Sequence, residues 1–220
     1  MNATTEAFSN RTETQPIVAI GLSADGLGAI RTVLRGLPVG LDAPVVIVMH
    51  RAPQAVPRLA QIVARHCALP VKEAAPQDAL LPGHVYFAPP DSHLVVAGDH
   101  LQLQHTDRVT FARPSIDVLF ESVARTYGPR AVGVILSGAG QDGARGLQAI
   151  RAGGGVTIVQ DPTEARFRRL PSAAIAADGI DFTVPLEEVS STILAVVARR
   201  RAVGSPEPST SAFSEQPAAQ

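Results

Sequence analysis

Two nearly all-apolar runs, PIVAI at 16–20 and VVIVM at 45–49, are closed by Gly21 and His50. Short runs with so little polar interruption predict interior strands of a parallel sheet, covered on both faces. Between them, LGAIRTVLRGL places apolar side chains at 27, 30, 33, 34 and 37, the spacing of a helix that lays one face on the sheet. The chain therefore opens as a βαβ unit. VPRLAQIVARHC continues it, with a proline tolerated in a first turn and apolar residues at 59, 62 and 63 that predict a second helix. The pattern then changes. VYFA at 85–88, HLVVAG at 93–98 and LQLQH at 101–105 are short extended segments separated by the turn formers PPDS and GDH. LQLQ alternates apolar with polar residues, as a half-solvated antiparallel strand does.

The α/β rhythm returns with SIDVLFESVARTYG, AVGVIL at 131–136, ARGLQAIRAG and GVTIV at 155–159, and it ends with PSAAIAA, DFTV and LEEVSSTILAVVARR. The predicted fold is α/β: a doubly wound, mostly parallel sheet with helices on both faces and a small antiparallel excursion.

Composition narrows the class. The chain has 220 residues, 45% of them hydrophobic and 18% charged, with 18 glycines and 18 prolines, which suits one compact domain rich in tight turns. Residues 1–15 lack the apolar stretch of a secretory signal and read as a flexible arm, residues 16–200 as the folded catalytic unit, and the Ser/Pro/Ala-rich residues 201–220 as a disordered tail. No run approaches the roughly 18 apolar residues of a membrane span, so no membrane insertion is expected. A formal charge of -1 supplies no field for a nucleic-acid backbone. A protein or small-molecule partner and a cytoplasmic location follow as expectations. The single cysteine, Cys67, excludes an internal disulfide and falls in the helix-like QIVARHC, where it reads as packing. His66, His84, His93, His100 and His105 have no metal-ligand spacing, so no metal or cofactor is assigned.

In a doubly wound sheet, reactive groups gather beyond the carboxyl ends of the strands. Ser23 follows the first predicted strand by three residues, His50 directly follows the second, and Asp142 lies in SGAGQDGARG after AVGVIL. Serine, imidazole and carboxylate are the groups that acyl transfer needs: a nucleophile, a base that passes its proton to the leaving group, and an anion that orients the ring. Each has an alternative reading, as a helix cap for Ser23, a backbone-satisfied surface histidine for His50, and a turn or cap residue for Asp142. GLSADG is neither a nucleophile elbow, because Asp25 stands where that motif needs glycine, nor a dinucleotide fingerprint, because Ser23 replaces the second glycine.

Taken together, GLSADGLGAI, VVIVMH, VKEAAPQDALLPGHVYFAPPDSHLVV, RPSIDVLFESVA, GVILSGAGQDGARGLQAIRAGGGVTIVQD and LPSAAIAADGIDFTVPLEEV resemble the catalytic domain of the bacterial chemotaxis receptor methylesterase, the CheB family, over about residues 15 to 198. The resemblance implies a Ser23–His50–Asp142 triad, with Ala24, Gly26 and Ala139 around the oxyanion or substrate pocket. It implies a substrate of glutamate methyl esters on receptor helices, hydrolysed with release of methanol, and glutamine deamidation in some members.

The chain also departs from the family pattern. The usual Ser-Thr-Gly-Gly block reads Ser23, Ala24, Asp25, Gly26, and a methionine expected near the fifth-strand turn is replaced by Ala139. A Phe-Gly-Met-Pro block reads FRRLP, so that Arg166, Arg168 and Arg169 crowd one loop, which reads either as a solvated loop or as a set of cations that steers an acidic protein substrate. His93 and Arg113 fall in family-like blocks without a separable role. Asp25 beside the nucleophile and the altered loops motivate an alternative, a weakened homologue that acts as a receptor-binding or regulatory module. The short polar stretch before the first strand is too small for the receiver domain that family members commonly carry, which leaves three expectations open: constitutive activity, regulation by a separate protein, or a fragment of a longer product.

Overall fold

The computed structural model of the chain describes residues 15–23, 26–52 and 59–204. Its strands in chain order are β1 (Ile17–Ser23), β2 (Val45–His50), β3 (Val71–Glu73), β4 (Val85–Phe87), β5 (His93–Ala97), β6 (His100–Gln104), β7 (Ala131–Ile135), β8 (Val156–Gln160) and β9 (Phe182–Val184). The helices are α1 (Leu27–Arg35), α2 (Leu59–Ala64), α3 (Ile116–Tyr127), α4 (Ala144–Ala152), α5 (Arg169–Ala176) and α6 (Val189–Gly204). A seven-stranded sheet has the order β3-β4-β2-β1-β7-β8-β9, and every pairing in it is parallel.

Alternate residues of the central strands feed two cores, as the period of a strand requires. Val18, Ile20, Val45, Ile47 and Val134 meet α1, α2 and α6 on one face, through side chains such as Ile30, Val33, Val63 and Ile193. Ile17, Ala19, Val46, Val48 and Ile135 meet α3, α4 and α5 on the other, through Leu119, Phe120, Ile150 and Ala174. The fold class is the one the sequence predicts, a doubly wound sheet with both faces covered. No helix is long and apolar enough to cross a membrane among the described residues.

Several details differ from the sequence reading. β1 runs on through Gly21 to Ser23 instead of stopping at Ile20, because Gly21 stays in the ladder opposite Val48 and Ile135. The glycine is a packing requirement, since a Cβ there would overlap Ile116 Cγ2. VYFA joins the parallel sheet, whereas β5 and β6 form a separate two-stranded antiparallel sheet whose Leu94, Val96 and Leu101 enter the second core. β3, with only three residues and no full burial, carries no apolar run by which it could be predicted. α2 ends at Ala64, so Cys67 follows the helix; it still packs against the first core, and burial pushes its thiol pKa up. α6 extends to Gly204, into the stretch read as the start of the tail. Gln15, at the end of the predicted arm, donates to Asp42 Oδ1 and accepts from Arg130 Nη1. The rest of that arm, Pro57 and residues 205–220 lie outside the described residues.

Candidate active site

β1 is the strand from which the chain departs in both directions: β2 lies on one side of it and β7 on the other. The crevice beyond the carboxyl ends of β1 and β7 is thus the topological switch point. Ser23 is the last residue of β1 and His50 the last of β2, and the two face each other in register. Following the alternation of each strand, both belong to the α3–α5 side of the sheet. Ser23 is not a helix cap, because the N-cap of α1 is Gly26 and has no side-chain hydrogen bond.

Asp142, only 2% exposed, lies in the turn between β7 and α4. Its Oδ2 is 2.8 Å from His50 Nε2 and accepts from Ile116 N at 2.7 Å; its Oδ1 accepts from the Ser115 hydroxyl at 2.8 Å and Asp117 N at 3.1 Å. Four donors converge on one carboxylate, two of them backbone N–H groups of the first turn of α3, where the helix dipole favours negative charge. A carboxylate has only acceptors, so His50 Nε2 carries the proton in this contact and Nδ1 is the free lone pair of the neutral ring.

Of the sequence alternatives for Asp142, the turn position holds, while the cap falls on α3 and not on the helix that follows, α4. The N-terminus of α4 is served in return by Asp117, whose Oδ1 accepts from Gly143 N at 2.9 Å and Gly146 N at 2.8 Å. Burial pushes the Asp117 carboxyl pKa up; the Gly146 N–H counters the shift and the nearby Asp142 charge adds to it.

The ring that supports Ser115 is fully buried His93. Its Nδ1 accepts from Ser115 N at 3.2 Å while Nε2 donates to Asp107 O at 3.0 Å. A run of hydrogen bonds therefore links His93, Ser115, Asp142 and His50. Arg113 fixes the same segment by donating twice to Asp91 Oδ1, at 3.0 and 2.8 Å, and to Thr106 O. No site role was read for Ser115 in the sequence, although a serine opening the helical run IDVLFESV is an N-cap signal.

At Ser23 the neighbouring turn must come close. Ser23 N donates to Ser137 O at 3.4 Å, and a Cβ on Gly138 would come within 2.9 Å of Ser23 Cβ, so only glycine lets the β7 end close on the serine. Gly138 also exchanges backbone hydrogen bonds with Phe167 and Leu170, which pins the arginine-rich loop and the start of α5 at this edge.

A cleft of about 810 Å³ opens beside these groups. Its walls include His50, Arg51, Asp142, Ala139, Arg168 and Arg169. Ser23 itself is 9% exposed and is not among the described residues that line the cleft. Of the predicted pocket residues, Ala139 is exposed at the cleft and Gly26 sits at the head of α1, while Ala24 and Asp25 lie outside the described residues. Of the predicted steering residues, Arg168 and Arg169 line the cleft, but Arg166 does not: its guanidinium stacks over the Phe167 ring, 5.6 Å from the centroid. Arg51 was not singled out in the sequence. It donates to Glu73 Oε1 at 2.9 Å and Ala88 O at 3.0 Å, and its buried Nε has no hydrogen-bond partner among the described residues. Among those residues no group of three or more His, Cys, Asp or Glu side chains could hold a metal ion.

The sequence model of the family described as CheB methylesterase matches residues 18–193. The chain belongs to the CheB methylesterase family. A Leptospira interrogans relative is 38% identical over 178 residues, which cover 80% of this chain and 92% of that one. A protein-glutamate methylesterase/protein-glutamine glutaminase of Moorella thermoacetica is 41% identical, covering 82% of this chain and 44% of the relative. The protein of the same name from Salmonella typhimurium is 39% identical, covering 86% and 55%. The chain thus spans nearly all of the Leptospira relative and about half the length of the other two. Among solved structures, the CheB methylesterase catalytic domain of Thermotoga maritima superposes with a TM-score of 0.79 at 29% identity, covering 83% of this chain and 99% of that one.

Proposed function

We propose that the chain hydrolyses methyl esters of glutamate side chains on chemoreceptor helices, with Ser23 as nucleophile, His50 as general base and acid, and Asp142 as the anion that orients and balances the imidazole. The observation that carries the reading is the placement of the three groups. Ser23 and His50 end adjacent parallel strands in register, and His50 Nε2 is 2.8 Å from a carboxylate that three further donors hold in place. Family membership and relatives named for both esterase and glutaminase activities support the substrate class.

The chemistry follows from that arrangement. With Nε2 bound to Asp142, the Nδ1 lone pair is the nitrogen available to take the Ser23 proton as Oγ attacks the ester carbonyl. Among the described residues no hydrogen bond joins Ser23 Oγ to His50; such contacts commonly tighten only when substrate is seated. The attack forms the Ser23 Oγ–carbonyl bond and places negative charge on the carbonyl oxygen. The backbone N–H groups at the head of α1 and of Ala139 and Gly140 are the donors on hand to receive it, since Gly138 N already donates to Phe167 O. The oxyanion collapses, the C–OCH3 bond breaks, and methoxide leaves as methanol with the proton from His50. Water then repeats the cycle on the acyl-serine, restoring the hydroxyl and leaving a free glutamate. A glutamine amide follows the same course with ammonia as the leaving group.

The test is methanol release from a methylated receptor fragment by the wild type and by His50→Ala. Release by the wild type that the variant loses supports the assignment. Equal release by both overturns it.

A further inference from the structure

One rim of the cleft carries a feature that the triad does not use. Phe111 is 95% exposed, the most exposed of the large hydrophobic side chains described, and it lines the same cleft as His50 and Asp142. It stands at the tip of a tight turn closed by two backbone hydrogen bonds between Val109 and Ala112, with Thr110 at φ 51 and Phe111 at φ 63. Positive φ at both central residues is the sense of a type I′ turn, which favours Asn and Gly and disfavours a β-branched residue followed by an aromatic one. Neither folding nor solubility calls for phenylalanine at this place, and a strained, solvated ring beside a reactive site is where function is to be sought.

Its surroundings indicate the partner. Arg108 lines the cleft on the same loop, and Arg168 and Arg169 line it from the head of α5; none of the three has a carboxylate within ion-pair distance among the described residues. The other two cleft arginines, Arg51 and Arg113, are occupied by Glu73 and Asp91. An apolar tip set among unpaired cations complements a surface that presents carboxylates around an apolar side chain.

Building on the methylesterase reading, we propose that Phe111 is the apolar anchor of protein-substrate docking. It inserts beside an apolar side chain of an acidic helix, one or two turns from the glutamate ester, while Arg108, Arg168 and Arg169 meet the flanking carboxylates. Phe111 thereby helps to choose which ester reaches His50. A small ester has no neighbouring helix to offer and gains nothing from the anchor.

The experiment compares Phe111→Ala with wild type in the full chain, using a methylated receptor cytoplasmic fragment and a glutamate methyl ester dipeptide as substrates. The ratio of kcat/KM for protein over dipeptide falls by about tenfold or more, through KM, as expected for loss of a buried aromatic anchor. Phe111→Leu recovers part of it. Val39→Ala, which trims another exposed apolar side chain (73% exposed), leaves the ratio unchanged. An unchanged ratio in Phe111→Ala, or equal losses on both substrates, overturns the proposal. If the wild type turns over neither substrate, the esterase reading fails independently and docking is judged by titration calorimetry with the receptor fragment. Weaker binding by Phe111→Ala then upholds the anchor, and equal binding overturns it.

Discussion

Replacing Asp142 by asparagine tests how the site is held. The carboxylate accepts from His50 Nε2, the Ser115 hydroxyl, Ile116 N and Asp117 N. An amide can keep one oxygen in place, and the least damaging orientation puts its oxygen at Oδ2, opposite Ile116 N and His50. The NH2 then faces the Ser115 hydroxyl, which can turn to accept, and Asp117 N, which cannot. One stranded buried N–H costs about 1–3 kcal/mol, and losing the anion at the head of α3 a further ~0.3–1 kcal/mol, so a stability loss of about 2 kcal/mol is expected. The larger effect falls on rate. A carboxylate and an imidazolium with charge centres about 4 Å apart attract by about 4 kcal/mol at an effective dielectric constant of ~20. The transition state of Asp142→Asn loses that attraction, which corresponds to a kcat about a thousandfold lower. The assay is methanol release from saturating methylated receptor fragment, run below the unfolding transition established by urea titration for each protein. A folded Asp142→Asn variant with kcat within threefold of wild type would refute the claim that Asp142 balances charge on His50.

Two further substitutions probe the frame around the site. Gly21→Ala adds a methyl into the space of Ile116 at the start of α3; it should cost about 1–3 kcal/mol in urea denaturation, and the added change Ile116→Ala should make the double variant less unstable than the sum of the singles. Additive losses would show that the two residues do not compete for that space. Asp117→Asn addresses pH. Burial holds the folded Asp117 pKa above its unfolded value of about 3.8, so the folded state binds this proton more tightly; that contribution is full below the unfolded pKa and is lost as pH rises through the folded one. The stability of wild type relative to Asp117→Asn should therefore fall as pH increases upward from about 4, and a difference that stays constant or grows between pH 4 and 7 would contradict the assignment.

What could be read in the sequence was whatever local pattern encodes. Continuous apolar runs gave away β1, β2 and β7, and their ends gave the edge on which Ser23, His50 and Asp142 meet. Helical periodicity located α1, α3 and α4 to within a residue or two. The misses have physical causes. Gly21 reads as a stop but continues a strand, because the reason for glycine is a neighbour ninety-five positions away, Ile116. β3 pairs only at the sheet edge and needs no apolar signature. The support of Asp142 by Ser115 and the first turn of α3, and the return cap from Asp117, join helices that are adjacent only in space. Spacing could suggest that Arg166, Arg168 and Arg169 act together, yet it could not tell which of the three faces the cleft. Phe111 was invisible for the opposite reason: an isolated aromatic in a polar loop has no pattern to betray it.

The proposed hydrolysis turns on Ser23 as nucleophile. The decisive measurement is methanol release from a methylated receptor fragment by the wild type and Ser23→Ala side by side, with unfolding curves to show that both are folded. Steady release by the wild type is expected, reduced to the uncatalysed background in Ser23→Ala at unchanged stability. Release by Ser23→Ala at the wild-type rate would contradict it.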